Sequence, residues 1–230
     1  MSTYVLVPGA CHGGWWYDDL VAELRARGHE AEAVTLAGLE VTAGAGGSDA
    51  GGDSSAVNLT THIDQVGRVV ERAAADAAEG VVLVGHSYAG TVITAVADRM
   101  PGAVRALVYL DAFVPEDGDS CYSMTNDEQR AWYIEGSGRT GLAVDPLPFF
   151  DERARPHPLA SLVQQVSLSG SWAAVPTKVY AAAEWPGESP FASSIARVQA
   201  DPVWDFYRWA TRHNVMHDGP ARVLELLLPL

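Results

Sequence analysis

The run VVLVGHSYAGTVI, Val81 to Ile93, constrains the chain more than any other stretch. Apolar β-formers lead into Gly85-His86-Ser87-Tyr88-Ala89-Gly90, and a helical pattern follows. Branched apolar residues suit a buried strand, and small residues suit a tight turn. A strand that feeds a helix through so short a turn is one unit of a strand-helix alternation. The remaining sequence repeats that alternation.

TYVLV reads as a first buried strand, and a glycine-rich turn follows it. Trp16 to Arg27 reads as a helix, with Leu20 and Leu24 one turn apart and Gly28 as its stop. AEAVTL is a second strand. VTAGAGGSDAGGDSSAV is rich in Gly, Ser and Asp and is expected to be a mobile loop. Ile63, Val66, Val70, Ala73 and Ala77 trace one helical face. VVLV is the third strand, a helix runs from about Tyr88 to Met100, and RALVYL is the fourth strand. From Ala112 to Trp172 prolines, acids and aromatics interleave and no strand is expected. Strands resume with TKVYAAA and WDFYRWA, and a helix follows Pro220. The expected fold is α/β: a mostly parallel sheet with helices on both faces. Residues 1–111 and 173–230 form the core, and residues 112–172 form a cap inserted after the fourth strand.

The 230 residues suffice for one sizeable core, and a net charge of −14 argues against nucleic-acid binding, which needs Lys and Arg. Cys11 and Cys121 make neither a disulfide framework nor a cysteine-based zinc pattern. No signal peptide precedes TYVLV, and no apolar run reaches membrane-spanning length. A cytoplasmic protein without a membrane partner is expected.

Strand, tight turn and helix are the setting that a serine nucleophile requires. Ser87 then sits on a strained turn, so its neighbours two positions away must be small. Gly85 and Ala89 meet that demand, with Ala89 where G-x-S-x-G has glycine. A phosphate-binding turn is disfavoured because the P-loop lysine is missing. The base should follow the last strand, where RWATRHNVMHDGP offers His213 and His217. Their i, i+4 spacing would suit a metal, but no Glu completes H-E-x-x-H, and Pro220 marks a loop entering a helix. No metal or cofactor is expected. His29, His62 and His157 fall in surface-like contexts, and His86 packs beside the nucleophile.

VPGACHGGWWY, VGHSYAG, LVYLDAFVPEDG and HNVMHDGP together resemble the small α/β-hydrolases related to plant methyl-ester esterases of the salicylate-binding type and plant hydroxynitrile lyases. The likeness spans nearly the whole chain in order. It implies a six-stranded core without the fold's usual first hairpin, under a helical cap. H-x-x-M-x-x-x-P is met by His213, Met216 and Pro220, so the resemblance selects His213 as base. It also implies an oxyanion hole made by the backbone N–H groups of Ala10 and Tyr88, which agrees with a free N–H at a helix start. Pro8 stands where relatives often carry His.

The acid departs from the family pattern. The plant enzymes carry Asp after the strand matching KVYAAA, where this chain has Pro186 with Glu184 two residues earlier. Asp111, ending LVYLD, is the other candidate. It is shorter and stiffer and ends a strand next to the nucleophile's, so Asp111 is the reading taken and Glu184 the alternative. Both point to the carboxyl rim of the sheet, where ligands gather.

Cys11, His12, Trp16, Trp132, Phe149 and Trp172 are expected to line the pocket, among loop aromatics that also include Trp15, Tyr133 and Phe150. Such walls suit a hydrophobic small-molecule substrate; a homodimer is compatible with the sequence. The expected activity is serine hydrolysis of a carboxylic ester, lactone or thioester through an acyl-enzyme. The rivals are a non-hydrolytic pocket protein (a binder or cyclase) and a hydroxynitrile lyase. The resembled lyases carry Lys after the catalytic His, where this chain has Asn214.

Overall fold

The computed structural model describes residues 1–41 and 56–230. Most of the Gly/Ser/Asp-rich stretch expected to be a mobile loop lies outside the described residues.

The strands are β1 (Thr3–Val7), β2 (Glu30–Ala33), β3 (Val81–His86), β4 (Val104–Leu110), β5 (Ala143–Val144), β6 (His157–Pro158), β7 (Thr177–Ala182) and β8 (Trp204–Arg208). Six of them form one sheet in the order β2-β1-β3-β4-β7-β8, and every ladder in it is parallel. The helices are α1 (Asp18–Ala26), α2 (Leu59–Ala75), α3 (Ala89–Arg99), α4 (Cys121–Met124), α5 (Asp127–Gly136), α6 (Leu159–Val163), α7 (Ala192–Ala200), α8 (Val215–Asp218) and α9 (Pro220–Leu227).

Period-two alternation in the central strands divides the core into two layers. Val5, Val7, Leu83, Leu107 and Tyr109 face one way and pack with Ile63, Val66 and Val70 of α2 and Val92, Ile93 and Val96 of α3. Tyr4, Leu6, Val82, Val84 and Val108 face the other way, onto Leu20 and Leu24 of α1 and Val223 and Leu227 of α9. Both faces of the sheet are covered, so the strands are continuous apolar runs rather than alternating ones. Asn58 caps α2 through a reciprocal bond pair with Thr61, and Gly28 ends α1 at φ +81°.

The structure departs from the sequence reading in four places. The helix expected from Trp16 begins with a 3₁₀ turn, Gly14–Tyr17, and α2 stops before Ala77. The strand expected through Leu36 leaves the sheet after Ala33. The stretch between β4 and β7 does hold a strand pair, the short antiparallel ladder of Ala143 with Pro158 and Val144 with His157. Two-residue strands are too short to leave a periodic signal. Among the described residues no helix is long and apolar enough to cross a membrane.

Candidate active site

The carboxyl ends of β1, β3 and β4 each carry a non-glycine residue in left-handed backbone: Cys11 at φ +68°, Ser87 at φ +57° and Asp111 at φ +44°. Such conformations cost on the order of 1–3 kcal/mol each and persist only where the surroundings over-determine them. Here the surroundings are visible. The Ser87 N–H donates to the Leu110 carbonyl (3.3 Å), and the Ser87 carbonyl accepts from Phe113 N–H (3.2 Å) and Gly90 N–H (3.1 Å). Side chains are excluded nearby. A Cβ at Gly9 would lie 2.9 Å from Ser87 Cβ, one at Gly85 3.0 Å from the Ala89 carbonyl oxygen, and one at Gly90 2.0 Å from the Phe113 carbonyl oxygen. The last demand, from the chain leaving β4, is the severest of the three.

His213 sits between β8 and α8, and its Nδ1 lies 2.7 Å from Asp111 Oδ2. A carboxylate accepts, so Nδ1 carries a proton, and in the neutral imidazole that tautomer puts the lone pair on Nε2. Asp111 is fully buried and also accepts from Ala183 N–H (3.1 Å) and the Trp185 indole N–H (3.0 Å). Glu184 is exposed at the cavity rim. The segment after β7 therefore contributes a hydrogen-bond donor to Asp111 through Trp185, one residue beyond the alternative acid. The Trp185 and Phe191 rings flank the His213 ring at 5.3 and 5.2 Å between centroids.

His86 packs 4.5 Å from the His213 ring and donates from Nε2 to the His213 carbonyl (3.0 Å). Burial, with the neighbouring His213 adding to it, holds the His86 pKa well below the usual imidazole value. A neutral His86 thus fixes the His213 main chain without placing a positive charge beside the ring. His217 is exposed and binds Asp218 (3.1 Å).

Ser87, His213, Ala10 and Tyr88 line one cavity of about 770 Å³, well within the range of small-molecule sites. The Ser87 hydroxyl has no hydrogen-bond partner among the described residues. The N–H groups of Ala10 and Tyr88 likewise donate to no protein acceptor among the described residues. His12, Trp16, Trp132 and Phe149 lie on the cavity wall, Phe149 being largely exposed at the mouth. Phe150, Trp185 and Phe191 extend the aromatic wall.

Two expected pocket residues stand elsewhere. Cys11 is buried with its Sγ against the Val144 carbonyl of β5 (3.9 Å), its left-handed backbone turning the side chain away from the cavity. Burial also pushes its thiol pKa far up. Trp172 lies behind α3, its N–H donating to Asp98 (3.1 Å) and its ring against Trp204. His62 and His157, expected near the surface, are both fully buried.

The alpha/beta hydrolase family profile matches residues 4–226. A carbendazim-hydrolysing esterase of Nocardioides is 36% identical over the full length of both chains. Salicylic acid-binding protein 2 of Nicotiana tabacum is 35% identical over 49% of this chain and 40% of its own length. A solved Paenibacillus extracellular alpha/beta-hydrolase, itself described as a structural and functional homologue of the tobacco protein, superposes with a TM-score of 0.78. That match covers all of this chain and 98% of that one at 22% identity, a likeness of fold. The sequence match and the all-parallel six-stranded sheet agree: the chain belongs to the alpha/beta hydrolase family.

Proposed function

We propose that the chain is a serine carboxylic-ester hydrolase acting on hydrophobic small molecules. The observation that carries the reading is the strained Ser87, flanked by two unbonded N–H groups in the cavity that also holds His213. Ser87 Oγ attacks the ester carbonyl and passes its proton to His213 Nε2. The carbonyl oxygen, now an anion, accepts from the Ala10 and Tyr88 N–H groups. Collapse of the tetrahedral species expels the alcohol, which takes the proton from His213. Water then attacks the acyl-enzyme with His213 again as base, releasing the acid and restoring Ser87. Asp111 holds the Nδ1–H tautomer and stabilises the imidazolium in both halves.

The full-length relative named for hydrolysing carbendazim supports ester cleavage over the lyase and binding readings. The aromatic wall of Trp16, Trp132, Phe150 and Trp185 supports a flat apolar group on the substrate. Ser87→Ala is expected to lower turnover of a short p-nitrophenyl ester by roughly 10⁴-fold or more and to abolish labelling by a fluorophosphonate. Unchanged turnover in the purified variant would refute the serine mechanism.

A further inference from the structure

The two N–H groups proposed as the oxyanion hole lie on different elements, and their separation has to be held from outside. In the loop after β1 the backbone is tied down bond by bond. The Gly9 carbonyl accepts from His12 N–H (3.3 Å), and the Ala10 carbonyl accepts from His12 Nδ1 (2.8 Å). Cys11, at the left-handed turn, is fastened to the cap at both ends of its residue. Its carbonyl accepts from Arg155 N–H (2.9 Å), and its N–H donates to His157 Nδ1 (3.2 Å).

The state of His157 is forced by its neighbours. Ser161 Oγ donates its one proton to the Pro158 carbonyl (2.8 Å), so the same oxygen must accept from His157 Nε2 (2.9 Å). That leaves Nδ1 bare to receive the Cys11 N–H. The Tyr88 side is built alike. His62 Nε2 faces the Ala37 carbonyl (3.0 Å) and must donate, so His62 Nδ1 accepts from the Tyr88 hydroxyl (2.7 Å). The His157 ring packs edge-on to Tyr88 at 4.6 Å, and the His62 and His157 rings lie 5.8 Å apart. Burial depresses the pKa of both imidazoles, His157 well below its usual value, so both remain the neutral tautomers these bonds need.

We infer that His157 and His62 are positioning residues for the oxyanion hole. His157, carried by the cap, sets the Ala10 donor through Cys11. His62, carried by α2, sets the Tyr88 donor through the Tyr88 hydroxyl. The inference rests on the serine-hydrolase reading. An apolar residue would fill either space without four directional bonds. One bond of each pair ends at the site, His62 on the Tyr88 hydroxyl and His157 on the Cys11 N–H, and the free N–H groups belong to Tyr88 and to Ala10, the neighbour of Cys11. The cap is then a structural part of the catalytic machinery as well as a wall of the pocket, because misplacing such a donor by about 1 Å can cost on the order of 10² in rate.

The test uses the full chain, a p-nitrophenyl ester, and a trifluoromethyl ketone that forms a tetrahedral adduct with a serine nucleophile. His157→Phe keeps a ring against Tyr88 and removes the acceptor; His157→Asn restores an acceptor near the place of Nδ1. His157→Phe is expected to lower kcat by on the order of 10²-fold with KM within about threefold, and to weaken the ketone in parallel. His157→Asn is expected to recover about tenfold of that loss. A kcat in His157→Phe within about threefold of the parent would overturn the inference, as would equal losses in the two variants, the pattern of a merely structural role. If His157→Phe does not fold, Ser161→Ala takes its place. It frees the ring to change tautomer, and an expected loss of about tenfold in kcat replaced by no loss would overturn the inference equally. Ser87→Ala in the same assay keeps the two readings apart. Retained turnover there removes the serine mechanism and this inference with it. An inactive Ser87→Ala beside a fully active His157→Phe removes the positioning role alone.

Discussion

His213 Nδ1 and Asp111 Oδ2 meet at 2.7 Å across 102 positions of sequence. The contact joins the end of β4 to the loop after β8, with β7 between them in the sheet. Two further donors, Ala183 N–H and Trp185 Nε1, converge on the same carboxylate, so its orientation is fixed before any substrate arrives.

Asp111→Asn is therefore expected to be far more damaging than Glu184→Gln. An amide keeps the shape but presents a neutral partner to His213 and permits the wrong tautomer, a change that can cost on the order of 10⁴ in turnover. Glu184→Gln is expected to stay within about threefold of the parent, since its exposed carboxylate makes no hydrogen bond to His213. Both variants are measured side by side on one activated ester. A severe loss in Glu184→Gln with near-normal Asp111→Asn would reverse the roles.

The two histidines of HNVMH separate in the same way. His213→Ala is expected to approach the loss of Ser87→Ala, because the two act as a unit. His217 is about 71% exposed and its ring pairs, among the described residues, with Asp218 alone, so His217→Ala is expected to change kcat/KM by less than about threefold. Should His217→Ala be the inactive variant, the base lies one helical turn further on.

How much of this was legible in the sequence varies with the range of the physics involved. The elbow at Ser87 announces itself locally, since a strained turn demands small residues at fixed offsets. Even so, the severest demand falls on Gly90 and comes from Phe113, a residue far along the chain. Cys11 misleads because strand alternation stops at β1, and one left-handed residue sends its side chain away from the cavity. Trp185 hides in an unremarkable strand exit; its value to Asp111 exists only once β4 and β7 are paired. His62 and His157 are hardest to see. A histidine is buried at low cost only when partners satisfy both nitrogens, and here those partners come from residues 11, 37, 88 and 161.

These buried histidines give stability a pH dependence whose sign is fixed. Burial lowers the His62 pKa to about 4 and those of His86 and His157 well below the ordinary value. The unfolded chain takes up protons near pH 6.5 while the native state does not, so unfolding binds protons and stability falls as pH drops. The contribution is whole above about pH 6.5 and is lost on the way down to pH 4, roughly 3 kcal/mol from His62 alone. The carboxylates of Asp151 and Asp218, lowered first by their arginine partners, lose their contribution only at more acid pH. Urea midpoints at pH 7, 5.5 and 4 should fall in order. In His62→Gln the slope of stability against pH across that window should shrink by about one proton. A parent midpoint that stays level from pH 7 to pH 4 would contradict the neutral, buried state of these rings.

Charge at the cavity mouth is expected to discriminate among esters. Glu128, Glu184 and Glu188 line the rim and are exposed, and Asp151 lies with them but is paired with Arg153. The rim arginine, Arg212, is neutralised by Asp218 at 2.7 Å. With a net charge of −14 behind it, the mouth repels anions and attracts cations. Among p-nitrophenyl esters of matched size, kcat/KM is therefore expected to fall from cationic to neutral to anionic acyl groups. The span between the extremes should be on the order of tenfold at low ionic strength. Exposed charges are screened beyond about 10 Å at 0.1 M salt, so the span should narrow as salt rises. Combining Glu128→Gln with Glu188→Gln should narrow it further at fixed salt while leaving the neutral ester almost unaffected. An anionic ester turned over as fast as the cationic one at low salt would show that the aromatic wall alone governs selection.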